Sequence, residues 1–256
     1  MTIHIDRDDN ILTVTIDRLE RRNAVDGETA KALYTAFRDF DRDDSLSVAI
    51  LTGAGGNFCA GADLKAVSEG KGNPVRVEGD MAPMGPGRLR LSKPVIAAIE
   101  GFAVAGGLEL ALWCDLRVAA QSSAFGVFCR RWGVPLVDLG TIRLPRLIGQ
   151  SRAADMILTG REVKAEEALS FGLVNRLVPD GEALAEARKL AADIAAFPQR
   201  CLRSDRRSMF EQWDLDEAAA IRREVQLGLE TIQSGETREG ATAFASGKGR
   251  HGGFGD

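Results

Sequence analysis

The sequence predicts an α/β protein with a helical C-terminal region. Three observations lead there: short apolar runs that stop at glycine-rich turns, stretches between them whose apolar residues recur at helical spacing, and a C-terminal portion without strand patterning.

Ile3 to Ile5 and Ile11 to Ile16 alternate apolar and polar residues about Asp8, Asp9 and Asn10, which predicts a β-hairpin. Asp26-Gly27 then opens a helix with Ala30, Leu33, Tyr34 and Phe37 on one side. Val48-Ala49-Ile50-Leu51 is a buried strand running into Gly53-Ala54-Gly55-Gly56, and Pro94 to Ile99 repeats the pattern before Gly101 and Gly106-Gly107. An amphipathic helix is expected over Leu108 to Trp113, with further short strands at Leu116 to Ala119 and Val174 to Val178. Residues 70–87 hold five Gly and three Pro and read as a mobile loop or lid. From Asp180 onward the stripe Leu184, Ala187, Leu190, Ala191, Ile194 and Phe197, and a second over Leu215 to Ile232, predict helices.

Composition narrows the chemistry. The chain of 256 residues is 27% charged and 45% apolar, as expected of a soluble globular protein, and its net charge of -4 with no long Lys/Arg cluster argues against nucleic acid as a partner. No apolar run approaches the ~18 residues of a membrane span, and MTIHIDRDDN lacks an apolar leader region, so a cytoplasmic protein is expected. Cys59, Cys114, Cys129 and Cys201 show no CxxC pair and read as reduced thiols. The two histidines, His4 near the start and His251 in a Gly-rich tail, are poorly placed for a nucleophile-activating triad or a zinc site. Acid-base work therefore falls to carboxylates and electrophilic work to the backbone; no metal is expected.

The glycine loops are not phosphate loops. Gly101 to Gly106 has Walker spacing, but Gly107-Leu108 stands where Lys and Ser/Thr are required, and the Gly53 to Gly56 stretch lacks the third glycine of a dinucleotide fingerprint. What such loops can offer is exposed amides. Cys59-Ala60-Gly61-Ala62-Asp63 and Gly106-Gly107, the latter at a helix start, either simply turn the chain or aim two N–H groups at one developing oxyanion.

At these residues the sequence resembles the crotonase family, also called enoyl-CoA hydratase/isomerase, over nearly its whole length. Arg22-Asn23-Ala24-Val25, Phe58 to Lys65, Lys93 to Gly101 and Ala105 to Leu110 match in order, as do Gly140-Thr141 with Leu144-Pro145-Arg146 and the run Ala165 to Val174. The resemblance implies a crotonase-like spiral of ββα units over 1–195 with the acyl-CoA site. It further implies a helical region over 196–256 that trimerises and covers the site, and a homotrimer or dimer of trimers. By the same resemblance the amides of Ala62 and Gly106 form an oxyanion hole for a thioester carbonyl, Glu109 is the catalytic acid/base, and Arg22, Ala60, Ala62, Asp63, Leu64, Lys65 and Gly106 meet the CoA substrate. Coenzyme A enters as part of the substrate, with no separate cofactor.

One departure bears on the reaction. Hydratases of the family carry a second glutamate twenty residues after the first, in a Phe-Gly-x-x-Glu context, whereas Phe125-Gly126-Val127-Phe128 is followed here by Cys129. Asp138, two residues before Gly140-Thr141, resembles an aspartate of the family's dienoyl-CoA isomerases; the resemblance implies an alternative second carboxyl there, the other reading being a loop aspartate bonded to its own backbone. Three expectations follow: hydration as the family default, double-bond isomerisation using Glu109 and Asp138, and a non-catalytic acyl-CoA-binding or structural protein.

Overall fold

The computed structural model describes residues 2–249. Its described chain divides into two compact units, one up to Ala192 and one from Asp193 onward.

The first unit is built on a six-stranded sheet whose strands lie side by side in chain order, starting from the N-terminal hairpin. The hairpin is β1 (Ile3–Asp8) with β2 (Ile11–Ile16), paired antiparallel with Asp9 taking a positive φ in the turn. Strands β3 (Val48–Gly53), β4 (Val95–Ile99), β6 (Leu116–Ala120) and β9 (Arg176–Val178) then add in parallel. The nearly continuous apolar runs of β3 and β4 follow from this position, because strands covered on both faces leave no side for polar residues.

A smaller sheet contains β5 (Phe102–Val104), β7 (Ala124–Gly126) and β8 (Val163–Lys164). Each turn of the chain passes from a strand of the large sheet to one of the small sheet and on to a helix. Thus β4 and β5 lead into α3 (Gly106–Trp113), and β6 and β7 lead toward α4 (Gly140–Ile148). Single parallel bridges, Val25 with Ala62 and Cys59 with Ala103, continue the stack through the two earlier turns. This is the expected spiral of ββα units.

Helix α1 (Gly27–Arg42) begins as the sequence predicts, with Asp26 accepting from the Thr29 amide, and buries Ala30, Leu33, Ala36, Phe37 and Phe40. Phe37 meets Trp113 edge-on at 4.8 Å between ring centroids, tying α1 to α3. The amphipathic reading of Leu108 to Trp113 is corrected: all eight residues of α3 are buried, Glu109 among them. A helix enclosed on every side has no solvent face, so its one charged residue is a cost that its surroundings must offset.

The reading of 70–87 as one lid is also corrected. Residues 82–87 are buried, whereas 74–80 are exposed. Short helices α2 (Leu64–Ser68), α5 (Gln150–Thr159) and α6 (Ala165–Phe171) complete the unit with most of α7 (Ala183–Ala196).

The second unit consists of the end of α7 with α8 (Gln199–Glu211), α9 (Glu217–Gln233) and α10 (Glu236–Ala245). Arg223 of α9 pairs with Glu211 of α8 at 2.6 Å, and Glu236 accepts from the Cys201 amide at 2.7 Å. Ile221, Val225 and Leu229, at successive helical turns of α9, are exposed. No described helix is long and apolar enough to cross a membrane.

Candidate active site

The first half of the site forms where two chain segments touch. Gly61 has a φ of +99° and lies so close to the start of α3 that a Cβ there would sit 3.0 Å from the Gly106 nitrogen and 2.9 Å from the Ala105 Cβ. Gly107 is pressed against the Cys59 carbonyl, which a Cβ would approach to 2.0 Å. Only glycine allows this approach, and its consequence is that the amides of Ala62 and Gly106 come from adjoining backbone. Neither amide donates to an acceptor among the described residues.

Ala62 is held from both sides, since Val25 donates to the Gly61 carbonyl at 2.8 Å and accepts from the Asp63 amide at 3.0 Å. The Asp63 carboxylate caps α2, accepting from the Lys65 and Ala66 amides at 3.1 and 3.2 Å, and pairs with Arg18 at 3.0 Å. Burial acts upward on Asp63, but those amides and the Arg18 charge together hold its carboxyl below the usual carboxylate range. Arg18 also pairs with Asp26 at 2.9 Å and donates to the Ala24 carbonyl. The buried Asn23, at a φ of +58°, fixes the same corner by donating to the Ala54 and Asn57 carbonyls.

The second half is a pair of buried carboxyls. Glu109 Oε1 accepts two backbone amides, from Asp138 at 2.9 Å and from Gly140 at 2.8 Å. Leu139 between them adopts a φ of +68°, the left-handed turn that lets both amides face one oxygen. Asp138 in turn accepts the Met84 amide at 2.8 Å. Burial, then the neighbouring Asp138 charge, pushes Glu109 up to about 7 against the two amides and Arg143. Burial pushes Asp138 up to about 6 against the Met84 amide and the Arg88 and Arg143 charges. A carboxyl near 7 holds and releases a proton with similar ease at neutral pH, which suits a general acid-base group.

Cys129 is buried beside this pair, in the turn Phe128–Trp132; burial, then the Glu109 charge, raises its thiol. It is therefore neutral around pH 7 and supplies no second carboxylate.

The remaining predicted residues flank Ala62 on both sides. The Ala60 amide donates to the Arg22 carbonyl at 3.1 Å, and the exposed Arg22 guanidinium lies 5.7 Å from the Phe102 ring centroid. Leu64 and Lys65 are exposed on α2. His4 is exposed on the edge strand and bonded to Asp17, with no contact to Glu109 or Asp138 among the described residues, and His251 lies outside the described residues. Among the described residues no group of three His, Cys, Asp or Glu could hold a metal ion.

Four participants were not singled out by the sequence reading. Met84 is one: its amide serves Asp138 and its sulfur packs on Gly106, where a Cβ would come within 2.6 Å. Arg18, Arg143 and the Gly140 amide are the others, and only Gly140 carried a signal, as part of a matched motif.

A family model described as enoyl-CoA hydratase/isomerase matches residues 6–251. Among curated relatives, enoyl-CoA hydratase EchA19 of Mycobacterium tuberculosis is 37% identical over 94% of this chain and 92% of its own length. Carnitinyl-CoA dehydratase of Salmonella typhi is 40% identical over 75% of this chain and 74% of its own. The crystal structure of enoyl-CoA hydratase EchA1 from Mycobacterium marinum superimposes with a TM-score of 0.90 at 39% identity, covering 96% of both chains. With the fold, the glycine contacts and the matched motifs in agreement, the chain belongs to the enoyl-CoA hydratase/isomerase, or crotonase, family of enzymes.

Proposed function

We propose that this chain acts on enoyl-CoA thioesters, with the amides of Ala62 and Gly106 as the oxyanion hole and Glu109 as the proton carrier. The observation that carries the reading is the state of Glu109: a buried carboxyl, near 7, whose Oε1 is occupied by two backbone amides. That leaves Oε2 as the oxygen that exchanges the proton.

The two amides supply what the chemistry lacks. Addition at the β-carbon, or loss of a proton from carbon, drives negative charge onto the thioester oxygen. One well-aimed amide is worth about 2.7 to 4 kcal/mol at that stage. In hydration, water oxygen bonds to the β-carbon while Glu109 takes a water proton, and the protonated Glu109 then returns a proton to the α-carbon of the enolate. No metal or redox group enters this balance, and coenzyme A arrives as part of the substrate. Arg22 and Lys65, exposed beside the Ala62 segment, suit the anionic part of CoA, with Ala60, Leu64 and the backbone of Asp63 lining the approach.

The relatives' names, enoyl-CoA hydratase and carnitinyl-CoA dehydratase, favour water addition or removal. A second reading, double-bond isomerisation, is favoured by one observation: the second carboxyl is at Asp138 and not at position 129. Here one carboxylate of the pair takes a proton from carbon, and a protonated carboxyl of the pair returns one two carbons further along the dienolate of an enoyl-CoA, or four along the extended enolate of a dienoyl-CoA. Incubation with a panel of enoyl-CoA and dienoyl-CoA thioesters, followed by product identification, decides between them; no turnover of any member would overturn both. The exposed row Ile221, Val225 and Leu229 supports reading the C-terminal helices as an oligomerisation region.

A further inference from the structure

Arg143 is a largely buried charged residue that acts on both carboxyls of the pair and that the proposed mechanism leaves without a role. It lies one turn into α4, three residues after the Gly140 whose amide serves Glu109. Its Nη2 donates to the Gly87 carbonyl at 2.8 Å. Gly87 itself lies against the other carboxyl, since a Cβ there would come within 3.2 Å of Asp138 Oδ1. One residue thus connects the guanidinium to the Asp138 side, and one helix turn connects it to the Glu109 side. Nη1 is buried with no hydrogen-bond partner among the described residues. A buried guanidinium nitrogen left in this way is costly, and it persists only where neighbouring negative charge offsets the loss.

We propose that Arg143 is a positioning residue of the candidate site, the buried counter-charge that lets Glu109 and Asp138 lie together without both taking up protons. The inference rests on the functional reading above for its catalytic meaning, and for its electrostatic meaning on the Arg143–Gly87–Asp138 contacts and the buried Nη1. Two carboxyls enclosed together repel when both are ionised and make no base when both are neutral. A fixed positive charge beside them favours the intermediate condition, in which one carboxylate is available at neutral pH. The Arg143 charge acts downward on both carboxyls.

The other titratable groups facing the cluster are Cys129 from the Phe128–Trp132 turn, Cys114 at the end of α3, and Arg88 and Arg90. Both thiols are raised by burial and stay neutral around pH 7. Arg88 is bonded to the Gly79 and Arg76 carbonyls, at 3.2 and 2.6 Å. None of these combines Arg143's bond to Gly87 with its position on the helix that serves Glu109.

The test is direct titration by NMR of the Glu109 and Asp138 carboxyl carbons in the full-length protein, for the native chain, Arg143→Gln and Arg143→Lys. Loss of the charge should raise both midpoints by on the order of one pH unit, and the acidic limb of the kcat/KM profile should move with them. Arg143→Lys keeps a charge and should hold both midpoints within about half a unit of native. Unchanged midpoints in Arg143→Gln would overturn the proposal. So would a full-unit rise in Arg143→Lys, which decides the matter even if the glutamine variant does not fold. The titration needs no turnover, so a failure of the catalytic reading would show separately, as undiminished activity in a Glu109→Gln variant.

Discussion

The backbone amide of Asp138 donates to Oε1 of Glu109 across 2.9 Å, so the residue carrying the second carboxyl also holds the first in place. The Gly140 amide adds a second bond to the same oxygen at 2.8 Å. The two carboxyls are therefore coupled through structure as well as through charge: a change at the 138–140 turn moves the proton carrier directly.

Gly140→Ala puts that coupling to the test. The new methyl would sit 2.8 Å from Glu109 Oε1 and 2.9 Å from its Cγ, so the carboxyl or the turn must shift. Misplacement on this scale costs roughly a hundredfold in rate. Turnover should fall accordingly while circular dichroism changes little and the unfolding midpoint drops by about 2–10 °C; undiminished turnover would show that the Glu109 position is not critical.

Glu109 also makes stability depend on pH in a definite direction. Its folded carboxyl is pushed up to about 7 from an ordinary value of 4.5, so the folded state binds the proton more tightly than the unfolded chain. The stabilisation is fully present below the unfolded value and is lost as pH rises through about 7. Glu109→Gln removes the ionisable group and keeps an acceptor. Relative to native it should become more stable between pH 5 and 8, by on the order of 2–3 kcal/mol. Urea titrations at the two pH values measure this, and a constant difference would contradict it.

Arg22 and Lys65 are exposed, and their proposed partner is an anion. Arg22→Ala and Lys65→Ala should raise KM for a CoA thioester by roughly three- to tenfold each, with kcat little changed and with a smaller effect at high salt. A fall in kcat at constant KM would place their action at the chemical step instead.

Asp138→Asn separates the two reactions. The asparagine preserves an acceptor for the Met84 amide, now at 2.8 Å from Asp138, but cannot carry a proton. Isomerisation through both carboxyls should drop by at least about a hundredfold, whereas hydration through Glu109 alone should drop much less. Product ratios from one enoyl-CoA substrate read both rates together, and equal losses would make Asp138 a shared requirement.

Much of this site was legible in the sequence because its demands are local. Gly61, Gly106 and Gly107 stand at strand ends where close backbone approach is needed, and Asp26 caps α1 as its spacing implies. Elements too short to show a period were not: β5 and β7 have three residues each, and the small sheet they form is set by tertiary pairing. Helix α3 looked amphipathic because Glu109 interrupts its apolar run, yet Glu109 faces the interior. Met84 was hidden in a Gly- and Pro-rich stretch whose composition suggests a loop, although residues 82–87 are packed under Asp138 and Gly106. Arg143 reads as an ordinary helical arginine until Gly87 is found between it and Asp138.

The central claim is that Glu109 carries the proton. Its most direct test is the steady-state rate of Glu109→Gln on the enoyl-CoA thioester that the native enzyme turns over best. A loss in kcat of at least about a hundredfold, with KM and fold retained, is the result predicted. Activity within a few-fold of native would contradict it.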